Sequence, residues 1–381
     1  MLNTHIAIFG CGQLAQMTAQ AGIKLGLSFS FIADSGEDTR CVEHLGDVVE
    51  YDPKMTAEAL FNVVNRPQVF TVEKEMVDTA LLKGLEAFAR VYPSAEGVHI
   101  TQNRIREKNF VRKHGIATAN FVQISSIEQL QQAINEFDVP LYIKAAESGY
   151  DGYNQWRITD KTAELPPALV AAIANNVELI AEQHVNYSRE ISVIAARSEQ
   201  DEIVFYPLME NRHEDGVLIS TIAPAPLQAE GLQSTAYEYM ATLLRAMDYV
   251  GVLTLECFET DEGIVVNELA PRVHNSGHWS IEGSATSQFE NHSRAVGGLK
   301  LGSTRASHIA GMINMLGKHG DRETIQSEHV FYHRYGKEER PRRKLGHITL
   351  IADDVATLIA KMDDVLVTLY GEQYAPIAND E

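Results

Sequence analysis

The chain has 381 residues, 45% of them hydrophobic and 22% charged, and a formal net charge of -20. That length exceeds one compact core and predicts two or three domains, while the acidity argues against nucleic acid or an anionic membrane surface as the main partner. Three widely spaced cysteines, Cys11, Cys41 and Cys257, give no disulfide framework or zinc site; the apolar run at 5–9 is too short for a secretory core and no stretch approaches a membrane span, so a cytoplasmic location is expected.

Taken in chain order, a strand at 6–9, a tight Gly10-Cys11-Gly12 turn, a helix at 13–25 and a strand at 28–33 form a βαβ opening. Strands at 48–51 and 69–72 and helices near 57–64 and 78–89 continue the alternation and predict a mostly parallel, doubly wound sheet. Gly10-x-Gly12-x-x-Ala15 followed by Asp34 is an incomplete dinucleotide pattern. Its safer content is a glycine turn that presents a helix N-terminus to an anion.

A connecting helix at 106–114 leads to a strand at 121–124, a helix at 127–136 capped by Ser125 with Glu128 in a capping box, and a strand at 141–144. Lys144 ends that strand, either reaching solvent or held to meet an anion. The turn-rich segment Ser148-Gly149-Tyr150-Asp151-Gly152-Tyr153-Asn154-Gln155 follows, then a strand at 156–158, a helix at 168–175 and strands at 178–183 and 189–196. Ala181-Glu182-Gln183-His184-Val185 ends a strand with polar groups that could receive an adenine or ribose, and Glu190 opens the next strand.

A helix at 232–247 precedes two apolar runs, 251–258 and 263–269, joined by Asp261, Glu262 and Gly263; they read as a hairpin. With a three-residue loop and Gly263 left-handed, Thr260 faces Ile264, Phe258 faces Val266 and Glu256 faces Glu268, Cβ atoms about 5 Å apart. Two like charges on apolar strands need neutralising. Oxygen-only ligands suit Mg²⁺; a shared proton or an arginine partner is the alternative. Beyond 300 come short strands and a final helix at 354–368. The cluster Arg334, Lys337, Arg340, Arg342, Arg343, Lys344 and His347 is either a solvated charge run or, with Arg272, His274 and His278, a recessed pocket for a phosphate ester.

Gly12-Gln13-Leu14, Thr101-Gln102-Asn103-Arg104, Gly149-Tyr150-Asp151-Gly152, Glu182-Gln183, Asn267-Glu268-Leu269-Ala270-Pro271-Arg272, His274-Asn275-Ser276-Gly277-His278, Ser287-Gln288-Phe289-Glu290 and Arg343-Lys344-Leu345-Gly346-His347 resemble the signatures of the 5-(carboxyamino)imidazole ribonucleotide synthases. These are ATP-grasp carbon–nitrogen ligases of purine synthesis, and the resemblance covers almost the whole chain in order. It implies an α/β fold of ATP-grasp architecture. A Rossmann-like pre-ATP-grasp domain would occupy 1–105, an ATP-grasp domain 106–300 with its lid at about 117–185, and a small β-rich C-terminal domain 301–381, completing the substrate site.

The resemblance further implies ATP between two subdomains, with Lys144 on its phosphates, Gly149, Tyr150, Asp151, Gly152 and Gln155 in the loop beside them, Glu182, Gln183 and Val185 at the adenine and Glu190 at the ribose. Arg104 and His213 belong to the same nucleotide site. Mg²⁺, or Mn²⁺ in its place, would lie on Glu256 and Glu268 with Asn267 close by. The substrate 5-aminoimidazole ribonucleotide would meet Gln13, Glu73, Tyr150, Asp151, Arg272, His274, Asn275, Ser276, Arg343 and Lys344, with bicarbonate as co-substrate and a homodimer as the assembly. Asp151, Arg272 and His274 would carry the chemistry, and Asp151 or His274 would accept the amine proton; closure of the loop at 148–155 would shield carboxyphosphate from water.

Two departures stand out. Tyr153 and Asn154 replace a Gly-basic-Gly pattern, and Ala145, Ala146 and Glu147 stand where basic residues commonly follow the strand lysine. Asparagine tolerates the left-handed conformation, so the backbone path can survive while phosphate affinity falls. Of the rivals, a formate-using glycinamide ribonucleotide transformylase leaves the string at 274–278 and the terminal basic motif unexplained. A non-catalytic nucleotide-binding protein fits the altered lid but not the retained Lys144, Glu256, Asn267 and Glu268.

Overall fold

The structure, a computed structural model, describes residues 4–147, 154–226, 229–325 and 328–371. The alternation of the first hundred residues builds a parallel five-stranded sheet from β1 (His5–Phe9), β2 (Ser28–Ala33), β3 (Asp47–Glu50), β4 (Val69–Val72) and β5 (Arg90–Val91), in the spatial order β3-β2-β1-β4-β5. Ile6, Ala7, Ile8 and Phe9 are all buried. Such unbroken apolar runs are what a sheet covered on both faces requires.

A second, antiparallel sheet contains β6 (Phe121–Ile124), β7 (Leu141–Ala145), β8 (Gln155–Ile158) and β9 (Leu179–Gln183), in the order β6-β9-β7-β8. Helices Ile127–Phe137 and Pro167–Ala174 cover one face, where Leu130, Leu169 and Leu179 pack with Leu141 and Ile143. The two-residue period of β7 therefore turns Tyr142 and Lys144 to the opposite face. The first of these helices is capped by Ser126, not Ser125: the Ser126 hydroxyl accepts from Gln129 N–H, and Gln129 Oε1 accepts from the Ser125 N–H and hydroxyl. Two adjacent serines offer the same cap, and Gln129 selects the later register.

The remaining strands, β10 (Arg189–Arg197), β11 (Ile203–Phe205), β12 (Met209–Glu214), β13 (Val217–Ala223), β14 (Gly251–Thr260), β15 (Gly263–Ala270), β16 (Ile309–Leu316), β17 (Val330–Arg334) and β18 (Lys344–Ala352), join in one antiparallel sheet. Its order is β15-β14-β10-β12-β13-β16-β18-β17, with β11 beside β10. The strands beyond residue 300 thus extend the same sheet through β13 and β16, and helix Val355–Tyr370 buries Leu358, Met362 and Leu366 against them. Among the described residues no helix is long and apolar enough to cross a membrane.

The β14–β15 hairpin departs from the expected register. Its turn holds two residues, Asp261 and Glu262, so Thr260 faces Gly263 and Cys257 faces Val266, with Gly263 at φ +119. Uncorrected, this would set Glu256 opposite Asn267. A β-bulge at that point leaves Asn267 as the extra residue and returns Glu256 to face Glu268. The two acids are partners as expected, by a different route.

Candidate active site

The three sheets surround a cavity of about 760 Å³. On the side of the small sheet, Glu182 of β9 is buried and its carboxylate receives Lys144 Nζ at 2.7 Å and Lys108 Nζ at 3.1 Å. Lys108 comes from helix Arg104–Lys113, is 2% exposed, and also donates to the Asn267 carbonyl at 2.8 Å. Burial opposes ionisation of Glu182, but the two ammonium groups outweigh it and hold the carboxyl at about 2. At the outer end, His213 Nδ1 lies 2.5 Å from Glu190 Oε2; burial works against its protonation, and the Glu190 contact overrides this and raises its pKa.

The opposite wall is acid-rich. His274 Nε2 is 2.7 Å from Glu256 Oε1, and Arg104 approaches Glu268 only to 3.9 Å. Glu107 is buried behind the pair and accepts from Leu269 N–H at 3.0 Å. Desolvation and then the Glu256 charge raise the Glu268 pKa; desolvation and then the Glu268 charge raise that of Glu107. Among the described residues no cluster of three or more His, Cys, Asp or Glu side chains is arranged to enclose a metal, so the protein alone would not complete a cation's coordination.

Beyond the acids, Arg272 donates to Glu75 Oε1 at 2.6 Å, and the Asn275 side chain keeps Oδ1 and Nδ2 buried with no hydrogen-bond partner among the described residues. Buried amides are normally satisfied, so Asn275 has hydrogen-bonding capacity to spare for a ligand. The glycine turn after β1 meets an anion of the protein's own. Glu73 is seated at the N-terminus of helix Gln13–Ile23, accepting from the N–H groups of Gly12 and of Ala15, the latter at 2.7 Å. A side chain at Gly10, where φ is +117, would collide with it. Asp34, the acid of the dinucleotide pattern, is paired with Lys74.

Gln13, Glu73, Arg104, Lys144, Gln155, Glu182, Gln183, Val185, Glu190, His213, Glu256, Asn267, Glu268, Arg272, His274, Asn275 and Lys344 all line this cavity. Two expected substrate contacts do not. Ser276 lies behind His274, 0% exposed, its hydroxyl engaged by His274 and Ser192. Arg343 points away to Asp38, 3.1 Å distant, and to the Glu338 carbonyl. Gly149, Tyr150, Asp151 and Gly152 lie outside the described residues. Asn154, just after them, has φ +55 and passes its carbonyl to Ala145 N–H at 3.0 Å, so the asparagine does take the left-handed conformation.

Lys108, Glu107 and Glu75 were not expected here. Glu107 and Lys108 share a helix face with buried Val111, four and three residues on respectively, and this spacing is the signal that they point inward. Nothing in the letters pairs Glu75 with Arg272 across 197 positions.

The sequence matches the ribonucleotide synthetase preATP-grasp domain at residues 3–102, the ATP-grasp domain at 109–289 and the phosphoribosylaminoimidazole carboxylase C-terminal domain at 310–361. It is 38% identical over 361 residues to N5-carboxyaminoimidazole ribonucleotide synthase of Pseudomonas aeruginosa, covering 94% of this chain and 98% of that protein. The fold superposes on N5-carboxyaminoimidazole ribonucleotide synthetase of Thermus thermophilus with a TM-score of 0.88 at 37% identity, covering 97% and 100% of the two chains. For N5-carboxyaminoimidazole synthase of Aspergillus clavatus, solved in complex with ADP and 5-aminoimidazole ribonucleotide, the TM-score is 0.86 at 25% identity over 97% and 99% of the chains. With all three domains matched in order and the site residues gathered in one cleft, the chain belongs to the N5-carboxyaminoimidazole ribonucleotide synthase family of ATP-grasp ligases.

Proposed function

We propose that the protein uses ATP and bicarbonate to carboxylate the exocyclic amine of 5-aminoimidazole ribonucleotide, giving 5-(carboxyamino)imidazole ribonucleotide, ADP and phosphate. The observation that carries this is the cavity itself, with Lys144 on one wall, the Glu256–Glu268 pair on the other, and Arg272, His274 and unpartnered Asn275 immediately beyond. The Aspergillus clavatus relative with both nucleotides bound supports it. On the strength of the family resemblance, the reading includes a homodimer in the cytoplasm.

The donor set fits a hard divalent cation. Glu256 and Glu268 offer oxygen alone, face each other across adjoining strands, and leave the remaining coordination positions to phosphate and water. Glu256 and Glu268 would hold Mg²⁺, with Mn²⁺ sharing the same oxygen chemistry, and Asn267 lies close by. When bound, the cation neutralises charge on the phosphoryl oxygens.

Lys144 would turn its charge to the ATP phosphates, and Glu182 would keep a partner while it does so, because Lys108 remains on it. As the family resemblance implies, Gln183 and Val185 would flank the adenine and Glu190 the ribose; all three line the cavity. A bicarbonate oxygen attacks the γ-phosphorus and ADP departs; in-line transfer of this kind depends on positioning and on charge stabilisation. The carboxyphosphate formed is short-lived in water. Arg272, fixed by Glu75, and Asn275 would place the ribonucleotide so that its amine attacks the carboxyl carbon, releasing phosphate and a proton.

The test is phosphate release from ATP with Mg²⁺ and bicarbonate, with and without 5-aminoimidazole ribonucleotide. Stimulation by the ribonucleotide is expected, and its absence overturns the reading.

A further inference from the structure

Behind His274 runs a line of buried hydrogen bonds that crosses three strands of the large sheet. The Thr221 hydroxyl on β13 donates to Asn211 Oδ1 on β12 (2.9 Å), and Asn211 Nδ2 donates to Ser192 Oγ on β10 (2.8 Å). Ser192 Oγ lies 2.9 Å from Ser276 Oγ, which is 2.9 Å from His274 Nδ1. All five side chains are buried.

The direction of this line is fixed at one end by the backbone. The Ser276 N–H points at His274 Nδ1 from 3.3 Å. A peptide N–H can only donate, so Nδ1 is the bare nitrogen and Nε2 carries the hydrogen. The Ser276 hydroxyl, on the same nitrogen, must then donate as well, and its oxygen accepts from Ser192. Ser192 in turn accepts from Asn211, whose carbonyl end is held by Thr221. Every hydrogen in the line points toward His274, and Nε2–H donates to Glu256 Oε1 at 2.7 Å.

We propose that Thr221, Asn211 and Ser192 are positioning residues that lock His274 as a hydrogen-bond donor to the cleft, so that His274 orients Glu256 and does not take the proton of the substrate amine. The basic nitrogen of His274 faces the protein interior, and the nitrogen at the cleft already carries its hydrogen. Of the two proton acceptors expected from the sequence, His274 is thereby removed. The histidine instead fixes the rotamer of one acid of the Glu256–Glu268 pair, in the manner of the hydrogen-bonded partners that orient metal ligands. The catalytic consequence rests on the carboxylation reading; the tautomer does not.

The experiment uses the whole protein labelled with ¹⁵N at histidine, with the His274 signal assigned by its loss in His274→Gln. In the absence of nucleotide and metal, the expected spectrum shows a protonated Nε2 and an unprotonated Nδ1; a protonated Nδ1, or rapid exchange between tautomers, overturns the proposal. Asn211→Asp keeps the shape of the side chain but makes it accept from Ser192, reversing the line. It should shift the His274 nitrogens and lower kcat by about tenfold while KM for the ribonucleotide changes little. Unchanged nitrogen shifts and kcat in that variant would refute the relay. If Asn211→Asp does not fold, Ser192→Ala removes the same link and is read in the same two ways. A protein that shows the expected tautomer but no ribonucleotide-stimulated phosphate release would refute the carboxylation reading alone.

Discussion

The two walls of the cleft hold charge in opposite ways. On the small-sheet wall one carboxylate, Glu182, is shared by two lysines, and the balance is cationic. On the facing wall Glu107, Glu256 and Glu268 crowd together with Arg104 no nearer than 3.9 Å to Glu268, and the balance is anionic. Buried charge of either sign is costly unless paired. On the proposed reading, an excess of each sign on opposite walls suits a ligand that is itself divided, with phosphates toward the lysines and a cation toward the acids.

The largest effect should come from the acidic wall. Glu268→Gln preserves shape and removes one charge, and loss of several kcal/mol of phosphoryl stabilisation corresponds to about 10³-fold slower phosphate release. A variant that turned over normally would dissolve the contrast between the walls. On the other wall, Glu182→Ala strands two ammonium groups in the interior and should lower stability by about 3–5 kcal/mol in urea unfolding. A smaller loss would mean that Lys108 and Lys144 find other partners.

Acid should sharpen the same contrast. The Glu182 carboxyl sits at about 2 in the folded protein, below its ordinary 4.5. Its contribution is therefore complete above 4.5 and is lost as pH falls through about 2. The slope of stability against pH from about 5 to 3 should be steeper in the wild type than in Glu182→Gln; equal slopes would show that the pair does not govern acid sensitivity. The smallest effect concerns backbone: Asn154→Val should cost about 1–2 kcal/mol because its φ is left-handed, whereas Asn154→Gly should be nearly neutral, both by thermal unfolding.

The reading of the sequence reached the parallel sheet, the strands of the small sheet and the acid pair because each rests on local pattern, and it reached most of the residues that line the cleft through the family resemblance. β2 and β4 have their expected limits, since apolar runs bounded by turn residues leave little choice. The β12–β13 hairpin was missed because Met209–Glu214 carries Glu210, Asn211, Arg212, His213 and Glu214, a polar surface strand in composition that pairs only in context. Ser276 and Arg343 were expected at the ligand, and their neighbours His274, Asn275 and Lys344 do line the cavity; sequence adjacency does not say which side chain faces forward. Lys108 and Glu107 were passed over in the helix at 106–114, although Val111 at helical spacing marks the face that the fold buries.

The bulge at Asn267 gives the hairpin a change of phase. From its tip to Val266 the returning strand runs one step out of parity with the positions its acids need, and from Glu268 onward it runs in step. How that one residue is accommodated thus decides which side chain, Asn267 or Glu268, is set opposite Glu256. Were Asn267 taken into the ladder and not bulged out of it, Asn267 would face Glu256 and Glu268 would face Leu255: the letters would be unchanged and the second acid would be lost to the far side, much as a shifted reading frame keeps the letters and changes the words.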